Sequence, residues 1–119
     1  ENENKQIEEG NRILSQETAD ALKDMMLAVV EGGTGTRAQI DGVKVCGKTG
    51  TAQKVNKNGV GYTEGWQIVS FIGFAPYEDP EIAIIVVVDG LQGGWGSTVA
   101  APVFRDIMEF SLNRLNVCQ

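Results

Sequence analysis

Apolar positions change period several times along the chain, and each change marks an element. From Ala19 they recur at Leu22, Met26, Val29 and Val30, a spacing of three and four that gathers them on one helical face. Ser15 stands before this run as an N-cap, and Glu17 lies in the first turn, where the helix dipole favours an anion. Gly32-Gly33 ends it, so the pattern predicts a first helix over about 16–31. After the glycine-rich connection 32–42, Val43, Val45 and Gly47 alternate with Lys44 and Cys46, and Thr49 and Thr51 follow. That period of two predicts a strand over about 43–54. Asn56 to Gly61 is turn chemistry, and a second strand is expected from about Trp66 to Ala75. Pro76-Tyr77-Glu78-Asp79-Pro80 reverses the chain into a third strand, Glu81 to Asp89, making an antiparallel hairpin.

The third strand is apolar at every position from Ile82 to Val88, which predicts a central strand covered on both faces. Beyond the loop from Gly90 to Gly96, a last helix is expected from near Thr98, with Pro102 tolerated in its first turn. Ala100, Val103, Phe104, Ile107, Met108, Leu112 and Leu115 give that helix a broad apolar stripe. Residues 1–14 are polar and acidic and read as a lead-in. The predicted fold is therefore α+β: a three-stranded antiparallel sheet with an N-terminal and a C-terminal helix. Either the helices cover both faces of the sheet, or both crowd one face and leave the other bare for a partner.

Composition narrows the functions. A chain of 119 residues, 42% apolar, suits one domain with a real core. Its longest apolar run, Ile82 to Val88, is too short to span a bilayer, and Glu1-Asn2-Glu3-Asn4 does not open a signal peptide, so any membrane anchor is expected outside this chain. The net charge of -6 argues against nucleic acid as a partner. Within that acidic chain, Arg37, Lys44, Lys48, Lys54 and Lys57 stand close together against Asp41 alone. Such an island is either a solvated basic hairpin or an anion site. Cys46 and Cys118 form no CxxC pair; Cys46 reads as a small buried apolar residue and Cys118 as part of a terminal tail. Histidine is absent, which removes Ser-His-Asp and Cys-His catalysis and most zinc sites, and no metal or cofactor is expected.

The island centres on Cys46-Gly47-Lys48-Thr49-Gly50-Thr51-Ala52, which packs one ammonium, two hydroxyls and two glycines into a few residues. Gly42 to Thr49 also fits GxxxxGK[ST], the phosphate-cradling loop. The context is wrong for it. No buried strand precedes Gly42, Val43 to Cys46 alternate like a strand, and the sequence after Thr49 is not helical.

With Lys48-Thr49-Gly50-Thr51 on a strand, the chain resembles the penicillin-binding transpeptidases, the class B members most closely. The resemblance runs from Ile13 onward through four blocks: Val30 to Thr36, Gly47 to Gln53, Ser70 to Pro76, and Val99 to Phe104. Lys-Thr-Gly alone is a weak signal; four blocks in order are a strong one. The resemblance implies the C-terminal part of a β-lactamase/transpeptidase-like fold. It also implies serine acyl transfer at the D-Ala-D-Ala end of peptidoglycan stem peptides, acylation by β-lactams, and a place on the extracytoplasmic face of the bacterial membrane. Of the family's three motifs, only Lys-Thr-Gly is present. Ser15, Ser70, Ser97 and Ser111 are followed three residues later by Thr18, Gly73, Ala100 and Arg114, so none begins Ser-x-x-Lys. Ser111-Leu112-Asn113 has the form of Ser-x-Asn but lies after Lys-Thr-Gly, near the end of a helix. This chain alone is thus expected to be inactive, its partner being the remaining transpeptidase segment, and an exposed sheet face is expected to promote self-association.

In that frame Lys48, Thr49 and Thr51 form a charge-assisted clamp for the substrate carboxylate. Gly47 and Gly50 let the substrate backbone approach the strand edge. The Thr51 backbone N–H supplies half of an oxyanion hole, a contribution on the order of 10²–10³ in rate. Strict alternation separates Lys48 and Gly50 from Thr49 and Thr51, so a local twist is expected at Gly50. Trp66 and Trp95 either flank the cleft or are core or rim residues. Two other readings share these features: a non-catalytic binding module, and part of a β-lactamase or β-lactam sensor. The Thr51-Ala52-Gln53 continuation and the Val99–Phe104 block favour the transpeptidase.

Overall fold

A computed structural model describes residues 10–117. Most of the expected lead-in, and Cys118, lie outside the described residues. The elements are α1 (Gln16–Gly32), a short 3-10 turn (Thr36–Ala38), β1 (Cys46–Val55), β2 (Tyr62–Ala75), β3 (Ile82–Gln92) and α2 (Ala100–Leu115). The predicted α+β architecture is observed, with the strands antiparallel in the order β1-β2-β3.

Each boundary has a local cause. Ser15 caps α1 as expected: its Oγ accepts from Thr18 N at 3.1 Å. At the other end Gly33 N and Gly35 N both donate to Val29 O, and Gln39 Nε2 donates to Val30 O and Glu31 O, so the last carbonyls of α1 are paired. β1 starts three residues later than the alternation predicted. Gly42, at φ +77°, turns the chain so that Val43 pairs with Ile40 in an isolated bridge instead of joining the sheet. β3 runs three residues further than predicted. Gly90 reads as a strand end, but at φ +81° it is the extra residue of a bulge where the register shifts between Gln67 and Ile68, and pairing resumes at Leu91.

The core lies on one face of the sheet. Val69, Phe71, Gly73 and Ala75 of β2 share that face with their β3 partners Val88, Val86, Ile84 and Ile82. α2 lies over them, burying Ala100, Phe104, Met108 and Leu112 at a spacing of four. The Phe71 and Phe104 rings meet at 4.7 Å between centroids and 53° between planes. Gly73 is required at this crossing, because a Cβ there would overlap Cys46 O and come within 2.7 Å of the Phe104 ring. The stripe is narrower than the sequence implied: Val103, Ile107 and Leu115 are exposed, because one row of side chains is enough to fill the groove over the sheet, while Ala101 is buried beside it.

The opposite face is only partly covered. α1 packs at the Cys46 end of β1, where Cys46 Sγ donates to Lys23 O at 3.5 Å and Phe74 and Ala83 line a groove with Ala19, Leu22 and Met26. Beyond that groove Ile72, Ile85 and Val87 remain 49%, 62% and 55% exposed. This corrects the expected central position of the third strand. β2 is central, and β3 is an edge among the described residues. A strand apolar at every position records that both faces are to be covered, and here one of its faces is bare.

Candidate functional site

Among the described residues β1 is the other edge of the sheet, and its free side carries the residues singled out in the sequence. Pairing with β2 runs without interruption from Cys46↔Phe74 through Lys48↔Ile72, Thr49↔Phe71, Gly50↔Ser70 and Thr51↔Val69 to Gln53↔Gln67. Alternation therefore puts Lys48 on the bare face with Ile72 and Ile85, and Thr49 on the α2 face with Phe71. The adjustment expected at Gly50 does not interrupt the ladder, whose register shift falls between Gln53 and Val55. The lysine closes the gap with its own length. Lys48 Nζ reaches round the open edge to donate to Thr49 O at 2.9 Å and Thr49 Oγ1 at 3.3 Å. Lys48 and Thr49 thus meet across the strand because, among the described residues, no strand pairs beyond it.

Thr51 is held differently. Its Oγ1 accepts from Gly96 N at 3.3 Å, which leaves its own proton free to donate. Gly96 is buried against the strand: a Cβ there would lie 2.6 Å from Ser70 O and 2.7 Å from Gly50 O. Ala100 N and Ala101 N donate to Gly96 O, so the first turn of α2 is tied to the point where Gly50 meets Ser70. A side chain at Gly50 is excluded too, since its Cβ would come within 2.5 Å of Ser70 Oγ. Trp95, next to Gly96, is 64% exposed, and Trp66, beside Gly90, is 38% exposed, which makes both rim residues and not core.

Two cations of the basic island are ion-paired; among the described residues Arg37, Lys48 and Lys57 are not, and of these three Lys48 alone lies on β1 beside Thr49 and Thr51. Lys44 pairs with Glu78 at 3.3 Å and also approaches the Tyr77 ring; Lys54 pairs with Asp89 at 2.7 Å. Among the described residues, Lys48 has no carboxylate within ion-pairing distance. Its charge, with the Thr49 and Thr51 hydroxyls, is available to an incoming anion.

Other candidates are excluded by their surroundings. Cys46 is fully buried, and burial pushes its thiol up to about 11, so it stays protonated and is no nucleophile. Ser111 Oγ donates to Ile107 O within α2 and Leu112 is in the core, which makes Ser111-Leu112-Asn113 a structural helix segment. Residues 42–49 turn, bridge and enter a strand with no helix after Lys48, so the phosphate-loop pattern is coincidental.

One contact was not foreseen. Thr34, on the loop after α1, places its Oγ1 3.1 Å from Thr49 Oγ1. The sequence held it inside the block Val30 to Thr36 but gave it no role, because the two threonines are 15 residues apart and share no periodic pattern.

Comparison with known proteins gives one answer throughout. Residues 1–109 match the family model described as penicillin binding protein transpeptidase domain. The chain is 47% identical over 108 residues to stage V sporulation protein D of Bacillus subtilis, covering 89% of this chain and 16% of that protein. It is 41% identical over 113 residues to the probable peptidoglycan D,D-transpeptidase PenA of Neisseria gonorrhoeae, covering 92% of this chain and 19% of that protein. It therefore spans less than a fifth of the length of either relative. Among solved structures, the transpeptidase domain of penicillin-binding protein 3 from Burkholderia pseudomallei superposes with a TM-score of 0.79 at 39% identity, over 91% of this chain and 33% of that one. Penicillin-binding protein 3 of Mycobacterium tuberculosis, complexed with ampicillin, gives 0.75 at 32% identity, over 89% and 26%.

Proposed function

Because the chain belongs to the penicillin-binding protein transpeptidase domain family, we propose that it is the carboxylate-binding side of a serine D,D-transpeptidase cleft. The observation that carries this reading is the Lys48 ammonium, without a carboxylate partner among the described residues, at an open strand edge next to the Thr49 and Thr51 hydroxyls. A stem peptide lies along β1, its terminal carboxylate held by Lys48 Nζ and the two hydroxyls through charge-assisted hydrogen bonds. The Thr51 backbone N–H points to the scissile carbonyl and takes up the negative charge that develops there. The attacking serine, with its Ser-x-x-Lys and Ser-x-Asn partners, comes from a part of the parent protein outside these 119 residues. It attacks the D-Ala-D-Ala carbonyl, expels D-alanine, and the acyl group passes to an amine of a neighbouring strand. A β-lactam follows the first half of this course and stays on the serine.

The bare face bearing Ile72, Ile85 and Val87 is where that remaining segment sits. No helix of the described residues is long and apolar enough to cross a membrane, and the site belongs on the extracytoplasmic face, where the substrate is.

Two outcomes are expected. Incubated with a fluorescent penicillin, the 119-residue chain gives no covalent adduct, whereas the full-length parent is labelled on a serine outside it. An adduct on Ser15, Ser70, Ser97 or Ser111 would sink the division of labour proposed here, and an unlabelled parent would favour a non-catalytic binding module. In sedimentation, the isolated chain self-associates with rising concentration, and Ile85→Lys with Val87→Lys reduces that association. A chain that stays monomeric throughout removes the argument that this face wants a cover.

A further inference from the structure

Thr34 has a place in the site that the Lys-Thr-Gly strand does not explain. Its loop is built to hold one position. Gly33 and Gly35 on either side of it both donate to Val29 O, at 3.1 and 2.9 Å. A Cβ at Gly33 would clash, lying 2.9 Å from Val29 Cα and Val29 O, and one at Gly35 would be tight, at 3.1 Å from Val29 O and 3.3 Å from the Phe71 ring. Phe71 is also the direct partner of Thr49 on β1. The loop and the strand are thus set against the same buried ring, and the result is the 3.1 Å contact between Thr34 Oγ1 and Thr49 Oγ1. The negative end of α1 would oppose an anion here, but Gln39 Nε2 and the two glycine amides already occupy its last carbonyls.

Hydrogen-bond accounting gives the contact a function. A threonine hydroxyl donates once and accepts twice. Lys48 Nζ donates to Thr49 Oγ1 at 3.3 Å. If Thr34 donates as well, both lone pairs of Thr49 are filled and its proton faces outward. We propose that Thr34 is a positioning residue of the clamp, its hydroxyl fixing Thr49 so that the Thr49 proton is presented to the substrate or β-lactam carboxylate. The inference rests on the reading of Lys48 and Thr49 as that clamp. The row Thr34–Thr49–carboxylate also polarises in one direction, which strengthens the terminal bond.

The test is the second-order rate constant for acylation of the full-length parent by a penicillin. Thr34→Val, which keeps shape and removes the hydroxyl, is expected to slow acylation about tenfold. Thr34→Ser restores it to within about twofold, since the donor is what matters. In a Thr49→Val background, Thr34→Val adds less than about twofold, because its target is gone. Thr34 is exposed, and Thr34→Ala provides a second hydroxyl-free variant should the valine disturb the loop; melting temperatures of all variants are compared with the wild type. Wild-type rates in both hydroxyl-free variants, or additive losses with Thr49→Val, overturn the role of Thr34 while leaving the clamp intact. A wild-type parent that no penicillin acylates overturns the clamp and this inference together.

Discussion

Replacing Phe71 with alanine is expected to destabilise the chain by about 3–5 kcal/mol, the range for emptying a fully buried aromatic site. Phe71 is wholly inaccessible and is the residue on which the two halves of the fold meet. On its α2 side it stacks on Phe104. On its β1 side its ring fills the space over Gly47, where any Cβ would overlap it. Toward the loop after α1 it touches the position that Gly35 leaves open. Collapse cannot fill this hole cheaply, since two of the walls are glycine backbone. The comparison is Val87→Ala, on the same sheet but 55% exposed, for which about 0.5 kcal/mol or less is expected. Urea titrations of the three proteins decide it: a lowered midpoint at unchanged slope for Phe71→Ala, and almost none for Val87→Ala. Equal midpoints for the two variants would mean that the core does not lie on the α2 face.

Replacing Lys48 with methionine is expected to slow acylation of the full-length parent by a carboxylate-bearing penicillin on the order of 10²–10³-fold. That corresponds to about 3–4 kcal/mol for removing one member of a charge-assisted pair. Methionine keeps most of the stem that lies round the strand edge, so the loss reports on the ammonium. The fold should hardly notice, since Lys48 is exposed and, among the described residues, bonds only Thr49 O and Oγ1. Lys54→Met removes an equally basic side chain of the same strand, but one already neutralised by Asp89, and should change acylation by about twofold at most. The contrast separates a positioned charge from a general basic field.

Much of this molecule could be read without coordinates because local chemistry and tertiary packing agree. Ser15 caps α1 and Gly33 stops it, the hairpin of β2 and β3 follows Pro76 to Pro80, and the spacing of Ala100, Phe104, Met108 and Leu112 is the buried row of α2. Failures came where one residue answers to two constraints. Gly90 looks like a stop and is a bulge. The run Ile82 to Val88 reports a need for cover on two faces, which an edge strand with a partner outside the described residues meets as well as a central one. Within the site, Lys48, Thr49, Gly50 and Thr51 were legible as a motif, but the route by which Lys48 joins Thr49 was not. Alternation forbids that meeting on a paired strand, and only an open edge permits it. The Gly96 amide on Thr51 and the Thr34 hydroxyl on Thr49 were invisible because long-range contacts through exposed hydroxyls leave no period behind.

The account stands or falls on whether Lys48 recognises a carboxylate. The measurement is the second-order acylation constant of the full-length parent, wild type and Lys48→Met, with a penicillin and with its methyl ester. In the wild type the free acid should react far faster than the ester, and in Lys48→Met that advantage should shrink to within about tenfold, through loss of the acid rate alone. An advantage of the free acid that survives undiminished in Lys48→Met would contradict the account.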